Sequence, residues 1–234
     1  MQSTFLWVGV AGMALGAAAF LAMSLSAKNH RDHYVITFFV PLIAAASYLA
    51  MALGSGITTV GTREVYYARY LDWVLTTPLL LLDLALLAMP FASRNRGTLI
   101  GGLIGADVFM ILTGLIATLS NNDTMRWTFY IVSCVALLAI YFLLFGQVRA
   151  EAASQSAESL ATFNSLSSIL VVLWLFYPVA WLLGTEGLKL FGQDIEVAAF
   201  AIMDVIAKVG FGFILLSALN RIPDPAPAGN KVTG

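Results

Sequence analysis

Apolar runs recur along the chain, and each is closed by a short polar break. Seven stand out, at residues 4–27, 34–55, 65–90, 97–119, 125–148, 160–183 and 195–219. As α-helices rising 1.5 Å per residue, all seven are long enough to cross a hydrocarbon core of about 30 Å. The breaks include KNHRDH at 28–33, GTRE at 61–64, SRNR at 93–96 and NND at 121–123. Connections this short favour antiparallel neighbours and one compact bundle. The pattern predicts an all-α fold of seven transmembrane helices over residues 1–222. The proline-rich end, PDPAPAG at 223–229, cannot continue a helix, so 223–234 is predicted to be a disordered tail. Residues 1–27 lack a positively charged start and are too long for a leader's apolar core, so they are read as the first span.

Composition agrees with a membrane protein. Of 234 residues, 60% are hydrophobic and 11% charged, where a soluble domain carries about 25% charged residues. Mean hydropathy is +0.87. The net charge of −1 and the lack of a basic stripe exclude a nucleic-acid partner. Cys134, the single cysteine, cannot form an internal disulfide and reads as a small core residue. His30 and His33 are the only histidines; they flank a loop and offer no metal-ligand cluster. Lys28, Arg31, Arg94, Arg96, Arg149, Arg221 and Lys231 fall on one side of the bundle, against Arg63, Arg126 and Lys189 on the other. The positive-inside rule then places the N-terminus outside and the C-terminus in the cytoplasm of a multi-pass cell-membrane protein.

Six ionisable residues lie inside the predicted spans: Arg69, Asp72, Asp83, Asp107, Asp204 and Lys208. Each costs about 2.5–3.5 kcal/mol at a helix centre on insertion scales, and such residues usually face the bundle interior and mark an ion pathway, a relay or a counter-ion. Arg69, Asp72, Thr76 and Asp83 share one helical stripe. Asp72 and Asp83 stand about 16 Å apart along the axis, one in each half of the membrane. Asp204 and Lys208, four apart, share a face of the seventh span. A mid-membrane lysine needs carboxylates beside it, or chemical modification: a desolvated amine is a nucleophile towards an aldehyde. The charges alone leave open a transporter with an intramembrane proton relay, or incidental buried pairs.

Three stretches carry a resemblance. RYLDWVLTTPLLLLD at 69–83, LWLFYPVAWLLGTEG at 173–187 and DVIAKVGFG at 204–212 resemble the third, sixth and seventh helices of the microbial rhodopsin family, in its bacteriorhodopsin-like, proton-pumping branch. The likeness covers nearly all seven spans. It implies all-trans retinal bound to Lys208 as a protonated Schiff base, Asp72 as counter-ion and proton acceptor, and Thr76 hydrogen-bonded to it. It also implies Asp204 as second counter-ion, with Arg69 between the counter-ions and the outside. Asp83 falls on the cytoplasmic proton donor and Thr37 on that donor's partner. Leucines surround Asp83 and no cation lies near it on its stripe, which suits a neutral acid at rest. Glu186 and Glu196 match a paired proton-release group; without the resemblance they read as solvated loop acids. Trp73, Thr77, Met110, Tyr130, Ser133, Trp174, Tyr177 and Trp181 match positions that line retinal. Tyr48 and Tyr66 match tyrosines near the counter-ions, Tyr48 donating to Asp204. Asp107 matches an acid that stays protonated and only hydrogen-bonds. Pro78 and Pro178 read as structural.

The resemblance thus implies a light-driven outward proton pump in the lipid bilayer, with protons as cargo and a homo-oligomer, trimer or pentamer, as the assembly. The alternative is a sensory photoreceptor signalling through a partner protein; its mark would be a missing acid at Asp83. A light-gated channel or an inward pump is a third option. Two departures stand out. Tyr130 replaces a tryptophan, so a slightly larger and wetter pocket is expected there. The 56–63 connection is shorter than in bacteriorhodopsin, so a covering hairpin is expected to be reduced.

Overall fold

The computed structural model describes residues 1–27, 29–89 and 93–220. Lys28, Arg221, Lys231, position 90 and the predicted tail at 223–234 lie outside the described residues. Seven helices are long and apolar enough to cross a membrane: α1 (Gln2–Ser26), α2 (Arg31–Ala52), α3 (Ala68–Ala88), α4 (Arg96–Leu119), α5 (Asp123–Gln155), α6 (Ala157–Leu183) and α7 (Gln193–Leu219). A small hairpin, β1 (Thr58–Val60) and β2 (Arg63–Val65), joins α2 to α3.

Consecutive helices pack side by side, and α7 returns against α1 to close the ring. The most apolar stretch of α3 is 67% buried, against 22% for α5. The stripe-bearing helix is therefore the central one, and α5 turns most of its surface to lipid. Water does not drive helices together inside a bilayer, so close contact relies on small residues. Gly9 shows this: a Cβ there would collide with the ring of Tyr48. The missing side chain on α1 is what lets the Tyr48 ring pack beneath it.

Element ends follow local chemistry. The Asn122 side chain accepts from the Met125 backbone N–H at 3.0 Å and starts α5. Ser156, in an extended conformation, separates α5 from α6, and its hydroxyl accepts from the Ser159 N–H at 3.0 Å. Both are ordinary N-caps. Two π-helical turns interrupt the long helices, at Leu144–Val148 in α5 and Ile206–Gly210 in α7. The second contains Lys208.

The structure departs from the sequence expectations in two places, at the ends of α5 and α2. Helix α5 does not stop at 148 but runs to Gln155, as a polar extension that hydropathy cannot register. Helix α2 starts three residues earlier than predicted, so His33 belongs to a helix and not to a loop. The covering hairpin is short but intact. Gly61, with φ of +64°, takes the first central position of its two-residue turn, where a positive φ is required. Arg63 Nη2 donates to the Ser120 carbonyl at 2.8 Å, and Gln193 Nε2 donates to the Glu64 carbonyl at 2.8 Å. The hairpin is therefore tied to α4 on one side and α7 on the other.

Candidate functional site

The ionisable residues of α3 and α7 meet in the bundle centre. Lys208 Nζ donates to Asp204 Oδ1 at 2.8 Å and lies 3.2 Å from Asp72 Oδ2. All three side chains are buried. Two anions beside one ammonium keep the amine tolerable away from water, where a lone charge would cost several kcal/mol. The two carboxylates are held differently. Asp204 also accepts from Tyr48 Oη at 2.7 Å, Tyr177 Oη at 2.8 Å and Trp73 Nε1 at 3.2 Å. Asp72 Oδ1 accepts from the Thr76 hydroxyl at 3.1 Å, and its Oδ2 makes no well-aligned hydrogen bond. Asp204 is saturated with donors, whereas Asp72 keeps acceptor capacity on the oxygen that faces Nζ.

An apolar cavity leads away from Lys208. Trp73, Thr77, Met110, Tyr130, Ser133, Trp174, Tyr177 and Trp181 line it, as expected from the sequence. So do Tyr70, Leu80, Ile111, Gly114, Cys134, Leu137, Pro178, Phe200 and Ala207, which the sequence reading did not assign to a pocket. Tyr70 and Leu80 could have been found: with Trp73 and Thr77 they fall at offsets 0, 3, 7 and 10, a second face of α3. Tyr48 and Tyr66 do not line the cavity. Tyr48 reaches the site through Asp204. Tyr66, just before α3 begins, turns outward: its hydroxyl donates to Gln2 Oε1 at 2.7 Å and its ring lies 4.9 Å from the Arg69 guanidinium carbon. Tyr130, which stands in for a tryptophan, has defined partners. Its ring stacks on Trp181 at 4.4 Å, and its hydroxyl donates to the Pro178 carbonyl at 3.1 Å. A slim, apolar molecule with an electrophilic carbonyl at its lysine end fits this lining and this nucleophile.

Asp107 borders the cavity through Thr77. The Thr77 hydroxyl is 2.7 Å from both the Trp73 carbonyl and Asp107 Oδ2. A hydroxyl has one proton, so both contacts are satisfied when Asp107 is the neutral acid donating to Thr77.

Outside the central cluster, Glu186 and Glu196 come together. They are 6% and 2% exposed, so the reading of solvated loop acids fails. Glu196 Oε2 accepts from the Thr185 N–H and hydroxyl, both at 2.8 Å, and its Oε1 lies 3.7 Å from Arg69 Nη1. Burial, then the adjacent Glu196 charge, pushes the Glu186 carboxyl up to about 8, while Arg69 pulls the other way. Two carboxylates in one buried site cannot both ionise freely, and they titrate as a pair.

At the inner end of α3, Asp83 is 1% exposed. The Thr37 hydroxyl donates to its Oδ2 at 3.0 Å, the expected contact. Its Oδ1 lies 2.7 Å from His33 Nδ1, a contact not expected. Asp83 does lie among leucines, with the stripe's one cation, Arg69, fourteen residues away, but α2 brings an ionisable ring against it.

The family model described as bacteriorhodopsin-like protein matches residues 1–222. Archaerhodopsin-2 of Halobacterium sp. (strain aus-2) is 47% identical over 95% of this chain and 89% of its own length. Bacteriorhodopsin-I of Haloquadratum walsbyi is 46% identical over 98% and 92%. Among solved structures, the thermophilic rhodopsin from Rubrobacter xylanophilus is 44% identical, with a TM-score of 0.89 over 93% of this chain and 96% of that one.

Proposed function

The chain belongs to the bacteriorhodopsin-like family of microbial rhodopsins, a multi-pass membrane family, and on that premise we propose that it is a light-driven outward proton pump. Lys208 Nζ, set between Asp72 and Asp204 with the separate buried acid Asp83 further along α3, is the observation that carries this reading. Retinal joined to Nζ as a Schiff base supplies light absorption and a light-triggered loss of proton affinity at that nitrogen. Trp73, Trp174, Tyr177 and Trp181 grip its apolar body and exclude water, and Met110 and Ser133 bound the far end.

Asp72 Oδ2, 3.2 Å from Nζ, takes the proton, while Thr76 holds the other oxygen. Asp204, already saturated by donors, remains the fixed negative partner. Glu196, 3.7 Å from Arg69 Nη1, is already the nearer anion, and neutralising Asp72 leaves the Arg69 charge less shared with the central cluster. That strengthened attraction favours loss of the proton shared by Glu186 and Glu196, which goes outward. Asp83 then returns a proton to Nζ from the cytoplasmic half. The N-terminus outside and the C-terminus inside follow from the charge distribution between loops. The process is vectorial movement of a proton, not substrate turnover.

Illumination of cells in unbuffered medium tests it. The medium should acidify, and a protonophore should abolish the change. Alkalinisation would mean import, and a coloured protein that causes no change would assign it to sensing through a partner.

A further inference from the structure

One titratable group at the cytoplasmic end takes no part in the path just described. His33 is the third residue of α2, which begins at Arg31. Arg31 and Asp32 before it are exposed, and the imidazole itself is 8% exposed against 1% for Asp83. The ring thus sits between the exposed start of the helix and a carboxyl that water does not reach. Its Nδ1 lies 2.7 Å from Asp83 Oδ1, a short contact in the range of charge-assisted hydrogen bonds. Thr37 occupies the other oxygen, and among the described residues His33 and Thr37 are the polar groups that act on Asp83. The charged or titratable groups around the ring are Asp83 on α3 and, on its own segment, His30 at 6.2 Å between ring centroids, Arg31 and Asp32. Just past α7, and among the described residues, the uncharged Asn220 lies nearby, bonded to Tyr34.

Threonine cannot pass a proton through itself by titrating near neutral pH, whereas imidazole can. It has two ring nitrogens, one able to accept while the other donates. We propose that His33 is the uptake relay of this protein: Nδ1 hands a proton to Asp83 Oδ1, and the second ring nitrogen takes one from cytoplasmic water. One proton enters the ring and one leaves it, so the imidazole is restored after exchange of tautomers. This rests on Asp83 being the donor to Nζ and on the N-terminus lying outside.

The test uses the full-length, retinal-supplied protein, with His33→Gln and His33→Phe variants read on their coloured fraction. Two rates follow a flash: return of the proton to Nζ, from visible absorbance, and uptake from bulk water, from a soluble pH dye. Both variants should slow uptake at least about tenfold, the low side of the usual gain from a placed acid–base group, while leaving return to Nζ within about threefold. Uptake at wild-type speed in both variants overturns the relay. So does slow uptake in His33→Phe with normal uptake in His33→Gln, because glutamine can hydrogen-bond but cannot titrate. In the dark, the infrared carboxyl band that disappears in Asp83→Asn should move in His33→Gln; an unmoved band also overturns the proposal. The underlying donor assignment fails separately, if Asp83→Asn leaves the return to Nζ unchanged.

Discussion

Six side chains in the apolar runs were legible as chemistry because each is expensive in a membrane, and the structure brings Asp72, Asp204 and Lys208 into one cluster. His33 was not legible. It sits beside a polar break, and the starting turn of α2 carries Arg31 and Asp32, so hydropathy alone reads it as loop. Tyr66 was misplaced for a related reason: it precedes α3, so helical spacing does not fix which way it faces. Two predictions belong to this scale. Asp83→Asn should slow return of the proton to Nζ by about 10²-fold or more, the loss expected for a removed proton donor, and azide should restore it as a diffusible acid; flash photolysis reads the rate. The second concerns pH. Burial and the Glu196 charge push the Glu186 carboxyl up to about 8, so below that pH the outer pair holds a proton in the dark and can release it. Above it the proton is already gone. Early light-induced release, followed with a pH dye, should therefore fade as the bath passes from below to above about 8. Glu186→Gln should abolish it throughout. Release that persists unchanged on the alkaline side would remove the pair from the path.

The elements were legible in number and type, because seven apolar runs have one compact solution. Their details were not. A π-turn depends on how one hydrogen-bond ladder slips, and nothing in VIAKVG marks it; such turns concentrate at functional sites, and here one carries Lys208. The ties of the small hairpin were not legible either, because they come from Arg63 and Gln193 reaching between segments, not from its own length. Helix α3 carries both the proton stripe and a cavity face, so its neighbours must hold it closely. Gly9 on α1 is one such support, since it leaves room for the ring of Tyr48, which donates to Asp204. Gly9→Leu should therefore overpack the contact at a cost of about 1–3 kcal/mol and lower the temperature at which the visible colour is lost. Gly105→Leu, at a position with nothing within 4 Å of an added Cβ, serves as the control and should leave that temperature nearly unchanged. Equal effects of the two would mean that Tyr48 yields without cost.

Across the whole molecule, the acids are arranged in order: Asp83 with His33 at one end, the Asp72–Lys208–Asp204 cluster in the middle, and Glu186 with Glu196 at the other. The central charges balance, Lys208 and Arg69 against Asp72 and Asp204, if all four are ionised. Passing a proton from Nζ to Asp72 turns one positive and one negative group into two neutral ones, so it creates no net charge where solvation is poor. A chloride ion would have to compete with Asp72 and Asp204 for Lys208, and a sodium ion would have to take oxygens already engaged with Lys208, Tyr48, Tyr177 and Thr76. Light-driven acidification should therefore persist when chloride is replaced by sulfate and sodium by a large organic cation. The initial rate should change little once membrane potential is collapsed equally in each medium. A flux that disappears with either ion would mean that the buried cluster handles that ion, and that the observed pH change only follows it as a passive response.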